Sequence, residues 1–311
     1  MIRYTYHHKN TPIHKLNPLC KLAWIGCVFL LALLFNHPLY LFLIFLSTLP
    51  LILAARVWRE WASLMKFSLF LCLLVIAINA LISNQGTHVL YQAPLQIPVI
   101  GAPRMTLEGI LCGVGNSLRL LAIISAFTLL TFTIHPDDLM SVMIKARLPH
   151  KSVMVASLST KFVPTLIADA HRITDVQRTR GLEFERGGPV QKARNYLAIA
   201  IPLLSNSLDR AVQVAEAMES RAFGSGKNRI LYRELKITRF DGITLAAALL
   251  PLALGISMFC LEEGEYQYYP VAQGPGLTGP QWVMLLILVL LINTLLMLAP
   301  LARRINLDQN R

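Results

Sequence analysis

An all-α, polytopic membrane bundle of about six spans, carrying long amphipathic helices outside the bilayer, is the fold class this sequence predicts. Three observations predict it. The 311 residues are 55% hydrophobic and only 15% charged, with a mean hydropathy of +0.53, whereas soluble domains carry about 25% charged residues. Apolar runs recur at the length a helix needs to cross a bilayer, roughly 20 residues. One stretch, 135–239, instead shows helical periodicity in a polar setting.

The runs fall at about 20–36, 38–55, 65–82, 107–134, 241–261 and 281–301. Asn36–His37–Pro38 turns the first two into a hairpin, and no small-residue cleavage site separates them, so the first run reads as a span and not as a signal peptide. The fourth run is longer than a bilayer requires and tilts or projects from it. Pro50, Pro251 and Pro300 lie in or at the ends of spans, where neighbouring helices satisfy the freed carbonyls. The chain thus divides into 1–134 (spans one to four), a cytoplasmic region at 135–239, and 240–311 (spans five and six).

Charge orients these spans. Of 29 lysines and arginines, all but Arg104 and Arg119 lie in the N-terminal segment, the 56–66 loop, the 135–239 region and the C-terminal tail, which share one side of a six-span chain. The 262–280 loop, on the other side, carries Glu262, Glu263 and Glu265. The basic side is cytoplasmic, so both termini face the cytoplasm and the expected location is the inner (plasma) membrane. The formal charge of +12 has this topological cause, which argues against nucleic acid as a partner and leaves anionic lipid headgroups as a by-product.

The 135–239 region opens with a short helix at 136–146, started by Pro136 and by Asp137 and Asp138 at the positive end of its dipole. A second helix is expected from about Ser152 to Arg180, with Val163, Leu166, Ile167, Ala170, Ile173 and Val176 on one stripe, Pro164 as either a kink or the point where the chain leaves the membrane, and a stop at Gly181. The polar stretch 183–195 reads as a connection. A third helix is expected from about Leu197 to Ala222, bent or broken near its start by Pro202, with Leu204, Leu208, Val212, Ala215, Met218 and Ala222 on its stripe. The two stripes can bury each other while the other faces stay free for a partner. Each helix ends on an arginine, Arg180 and Arg221, which the helix dipole favours by about 0.3–1 kcal/mol. Two such ends on parallel helices also offer a pair of guanidinium forks to carboxylates on a partner.

Other chemistry finds little support. GSGKN at 224–228 lacks the early glycine, the Ser or Thr and the preceding strand of a phosphate loop. The five cysteines lack metal or redox spacing, and His7, His8 and His14 lack zinc spacing. No metal, cofactor or catalytic residue is expected. Arg119, inside the fourth span, is either functional or paired with a carbonyl or with Asn79 or Asn116. Glu108 stands about 16 Å away along the same helix, too far to pair with it. Gly109 and Gly113 mark close helix packing.

Four stretches together resemble the transmembrane T component (EcfT, CbiQ-like) of energy-coupling-factor transporters, ABC-type importers of vitamins and of cobalt or nickel ions. They are PIHKLNPLCKL at 12–22, IHPDDLMSVMIKARLP at 134–149, KFVPTLIADAHRITDVQRTRG at 161–181 and IPLLSNSLDRAVQVAEAMESRAFG at 201–224. The resemblance implies an L-shaped, non-catalytic coupling subunit. It would rest on two cytoplasmic ATPase subunits and contact a membrane-embedded substrate-binding S component. In that family two coupling helices end in Ala-Arg-Gly motifs whose arginines dock on the ATPases. By position these are Arg180–Gly181, with Thr179 in place of the first alanine, and Arg221–Ala222–Phe223–Gly224, with the glycine postponed to Gly224. Pro164, Asp169, Pro202, Arg210 and Glu219 would support the helices. The alternatives are a self-contained secondary transporter, which should show internal repeats, and a polytopic membrane enzyme, which should cluster ionisable residues at a membrane face.

Overall fold

The computed structural model describes residues 11–14, 16–82, 86–92, 104–146, 148–184, 188–223, 238–261, 266–270, 274 and 276–298. Gly224, the GSGKN stretch, His7–His8, Glu262, Glu263, Glu265 and the tail arginines lie outside them. The described elements are α1 Pro18–Leu34, α2 Pro38–Ala55, α3 Trp58–Ile82, β1 Val89–Gln92, β2 Arg104–Thr106, α4 Leu107–Thr133, α5 Pro136–Lys145, α6 His150–Thr179, α7 Pro189–Ser220, α8 Arg239–Cys260 and α9 Gly279–Ile292. The chain is a helical membrane bundle with very little sheet. It forms two units, 1–135 with 236–311, and 136–235.

Local chemistry starts α1, α2, α4, α8 and α9 of the first unit. Asn17 accepts from the Leu19 N–H ahead of Pro18, and the His37 Nδ1 accepts from the Leu39 N–H ahead of Pro38. Burial lowers the His37 pKa, which suits an unprotonated acceptor nitrogen. Thr106 caps α4 through the Gly109 N–H, and the Asp241 and Gln281 side chains reach back to the N–H groups of Thr238 and Thr278.

Helix α4 is the hub, packing on α1, α2 and α3, while α1 also packs on α8 and α8 on α9. Its small residues allow this. A Cβ on Gly113 would sit 2.8 Å from the Ile76 Cα, so α3 and α4 cross backbone to backbone. Trp24, Leu31, Phe35, Ile44, Leu51, Ala122, Ala126, Met258 and Leu288 fill the core. Some polar atoms inside it are paired across helices: the Trp61 indole N–H donates to the Ser125 Oγ at 3.1 Å, and Ser125 shares a 2.7 Å bond with Thr48. In hydrocarbon such atoms need protein partners, because no water is available.

Three expectations about the elements change. Six helices are long and apolar enough by length and composition to cross a membrane: five coincide with expected spans, the sixth is Lys151–Thr179 in the region expected outside the bilayer, and the remaining expected span is the apolar 17-residue α1. The antiparallel pair β1–β2 escaped the sequence reading, since four- and three-residue strands leave almost no period to detect. Helix α7 begins at Pro189, eight residues before the expected Leu197. Proline at the first position loses no hydrogen bond, and the following Gln-Lys-Ala-Arg run favours helix.

Candidate functional site

In the second unit α6 and α7 pass one another in opposite directions. Asp169 meets Arg210, Gln177 meets Ala198 and the Glu183 carbonyl meets Asn195, so numbers rise on one side as they fall on the other. The expected parallel arrangement is therefore replaced by a hairpin. Arg180 lies near its connection and Arg221 at the far end of α7, beyond the 198–221 stretch of about 35 Å.

Polar and small residues hold this pair together. The Arg210 Nη2 donates to the Asp169 Oδ2 at 2.7 Å, and Arg172 stands 3.9 Å from the other carboxylate oxygen. Pro202 lies inside a continuous helix and does not break its start. Lacking an N–H, it frees the Ala198 carbonyl four residues earlier, and the Gln177 Nε2 of α6 donates to that oxygen at 3.4 Å. A residue read as bending or breaking the helix thus creates an acceptor for the neighbouring helix. Pro164 likewise lies inside a continuous α6. Asn195, buried, donates to the Glu183 carbonyl at 2.7 Å, and Phe184 packs against Tyr196.

The apolar stripes do not bury one another as expected. Val163, Ile167 and Val176 of α6 are exposed, and so are Leu197, Ile201, Leu204, Leu208 and Val212 of α7. The five on α7 recur at steps of three and four and form one continuous apolar face.

The two arginine-bearing ends share one construction. In the first, the Leu182 N–H donates to the Gln177 carbonyl and the Gly181 N–H to the Arg178 carbonyl, both at 3.0 Å. In the second, the Phe223 N–H donates to the Met218 carbonyl at 3.0 Å and the Ala222 N–H to that of Glu219 at 2.8 Å. Both are Schellman closures. Gly181 takes the left-handed position with φ 87°, and Ala222 takes the equivalent one with φ 53°. The second helix thus ends where the sequence places its end, at Ala222, which takes the left-handed turn itself, while Gly224 lies outside the described residues. An L-residue accepts this conformation at a cost of about 1–2 kcal/mol. Arg180 and Arg221 are the C-caps and are exposed, as are Gly181, Ala222 and Phe223.

Arg119 sits elsewhere, in the first unit. Its Nε donates to the Ala32 carbonyl at 2.8 Å, and its Nη2 to the Phe35 carbonyl at 3.1 Å and to the Asn36 Oδ1 at 2.7 Å. Nη1 reaches the Asn116 Oδ1 at 3.3 Å, while Asn79 bonds within α3. These contacts cap the C-terminus of α1, where carbonyls lack helical partners. The Tyr268 hydroxyl, its pKa raised chiefly by burial, donates to the Asn36 carbonyl at 2.8 Å. Glu108 pairs with His88 at 2.7 Å. Among the described residues no group of His, Cys, Asp and Glu could hold a metal ion.

Sequence reasoning missed one polar site. Lys21, counted as a flanking charge, lies inside α1 and is 3% exposed. Its signal was a lysine four residues after Asn17, in the first turn of an otherwise apolar helix.

Comparison with known proteins adds a lineage. The family model described as a cobalt transport protein, CbiQ, matches residues 9–232. A protein of Streptococcus equi subsp. equi named energy-coupling factor transporter transmembrane protein EcfT is 30% identical over 263 residues, covering 82% of this chain and 94% of its own. The protein of the same name from Streptococcus thermophilus is 31% identical, covering 81% and 94%, and that from Acidaminococcus fermentans 29%, covering 83% and 96%.

Proposed function

The chain belongs to the CbiQ family of cobalt transport proteins, and on that premise we propose that it is the transmembrane coupling subunit of an energy-coupling-factor importer. Its cargo is a vitamin or a transition-metal ion bound by a separate membrane subunit. Two cytoplasmic ATPase subunits supply the energy, and this chain hydrolyses nothing itself. It sits in the inner membrane with both termini on the cytoplasmic side, in accord with its asymmetric basic charge.

The observation that carries this reading is the duplicated helix end. Two exposed arginines, Arg180 and Arg221, cap helices closed by the same pair of backbone bonds. Such closures hold each guanidinium on a defined stem, and the hairpin sets the two far apart, which suits two sockets and not one. When the ATPases close on nucleotide, the stems move with them. The Asp169–Arg210 pair and the Gln177–Ala198 bond make α6 and α7 respond together. The apolar face of Leu197, Ile201, Leu204, Leu208 and Val212 is a surface on which the substrate-binding membrane subunit can ride.

Reversing both charges tests the docking. Truncating one partner of a desolvated charge pair costs about 2–5 kcal/mol, so R180E with R221E should abolish co-purification of the ATPases while the chain still reaches the membrane. Wild-type recovery of the ATPases with the doubly reversed chain would overturn the docking.

A further inference from the structure

The N-terminal motif PIHKLNPLCKL bears no role in the docking scheme, yet polar residues in and beside it are buried in the first unit. Thr11 is 3% exposed, His14 8% and Lys21 3%. A lysine inside a membrane bundle is costly unless its donors find fixed acceptors. The Lys21 Nζ donates to the Thr133 carbonyl at 2.9 Å and to the His14 carbonyl at 3.0 Å. The His14 Nε2 bonds the Phe132 carbonyl at 3.2 Å while its Nδ1 pairs with the Thr11 hydroxyl at 2.6 Å. One tautomer satisfies both contacts, with the proton on Nε2. Phe132 and Thr133 are the last residues of α4, where carbonyls carry the negative end of the helix dipole and lack helical partners. A buried ammonium is well placed there.

The same turn reaches a second element. The Cys20 Sγ lies 3.0 Å from the Thr244 Oγ1 and donates to the Asp241 carbonyl at 3.5 Å, both in the first two turns of α8. Thus His14, Cys20 and Lys21 touch the end of α4, three residues before the second unit begins at 136, and the start of α8, just after that unit ends at 235. These are the two places where the chain passes from one unit to the other. Helices α1 and α4, and α1 and α8, are also directly packed.

We infer that residues 11–21 form a clasp, with Lys21 as its central positioning residue, through which movement of the second unit is passed into the membrane bundle. This rests on the coupling function proposed above. A pull on 136–235 can enter the first unit through its two covalent links. The helix ends beside the two links, at Thr133 of α4 and Asp241 of α8, are bonded to one short segment, so they are displaced together and not singly. Without the Lys21 bonds the end of α4 can fray or swing alone, and the pull is dissipated at the link.

Spin-label distances in the nanodisc-embedded complex with its ATPases test this, in a chain whose exposed Cys260 is replaced by serine. One pair, Ser159→Cys with Gln213→Cys, reports on the second unit. The other, Leu107→Cys with Leu261→Cys, reports on the far ends of α4 and α8. With the clasp intact, ATP and vanadate should shift both distance distributions. Lys21→Met should keep the first shift and lose the second, and Lys21→Arg, which retains donors, should restore it. If K21M does not accumulate in the membrane, His14→Ala, which removes one bond to α4, should diminish the second shift alone. An undiminished second shift in K21M, or in H14A where K21M is lost, overturns the clasp. A wild-type complex that assembles no ATPases, or shows no shift in either pair, overturns the coupling function instead.

Discussion

The ends of α6 and α7 make the same hydrogen bonds with different residues, and the difference separates what the backbone demands from what the side chains offer. Gly181 adopts the left-handed turn at little steric cost, whereas Ala222 adopts it with a Cβ in place. The arginine before each turn is kept. The geometry of the stem therefore does not depend on glycine, and it is the closure together with the arginine that the two ends share.

The comparison can be broken most severely at the arginines. Reversing either alone, R180E or R221E, should weaken ATPase binding by about 2–5 kcal/mol if the charge pair is desolvated in the complex. The two losses should be alike, read as ATPase retention by detergent-solubilised chain. A large loss at one arginine and none at the other would show that the ends are not equivalent. A smaller effect is expected at the crossing. Asp169→Ala removes a bond to a partly exposed Arg210 and should cost about 1 kcal/mol. It should accelerate amide exchange in α6 and α7 together. The smallest effects concern the turns. Gly181→Ala meets no neighbour, since nothing lies within 4 Å of an added Cβ, so only conformational strain of about 1 kcal/mol is added. Ala222→Gly should relieve a similar strain. Faster amide exchange at Leu182 in the first variant, and slower exchange at Phe223 in the second, would check both signs.

Much of the bundle was legible because its signal is long. Runs near 20 apolar residues announce spans, and Pro38 and Pro136 mark where helices start. The arginine at each helix end was legible because a helix dipole and a stop residue predict where it stands. Three things were not. The left-handed conformation at Ala222 could not be read, because alanine ordinarily continues a helix and the turn here is imposed by the closure. Pro202 looked like a break, whereas a long helix absorbs it once Gln177 takes the freed carbonyl. Lys21 looked like one more flanking charge, because its acceptors, at His14 and Thr133, include a residue over a hundred positions away. Mutual burial of the apolar stripes failed for a different reason: the hairpin is held by Asp169 and Arg210, which periodicity cannot pair.

Photo-crosslinking from the two turns tests the central claim most directly. With p-benzoylphenylalanine at Leu182 in one chain and at Phe223 in another, irradiation of the assembled complex should join each chain to an ATPase subunit. Capture from neither position would contradict docking through the arginine-capped ends, and capture from only one would contradict their equivalence.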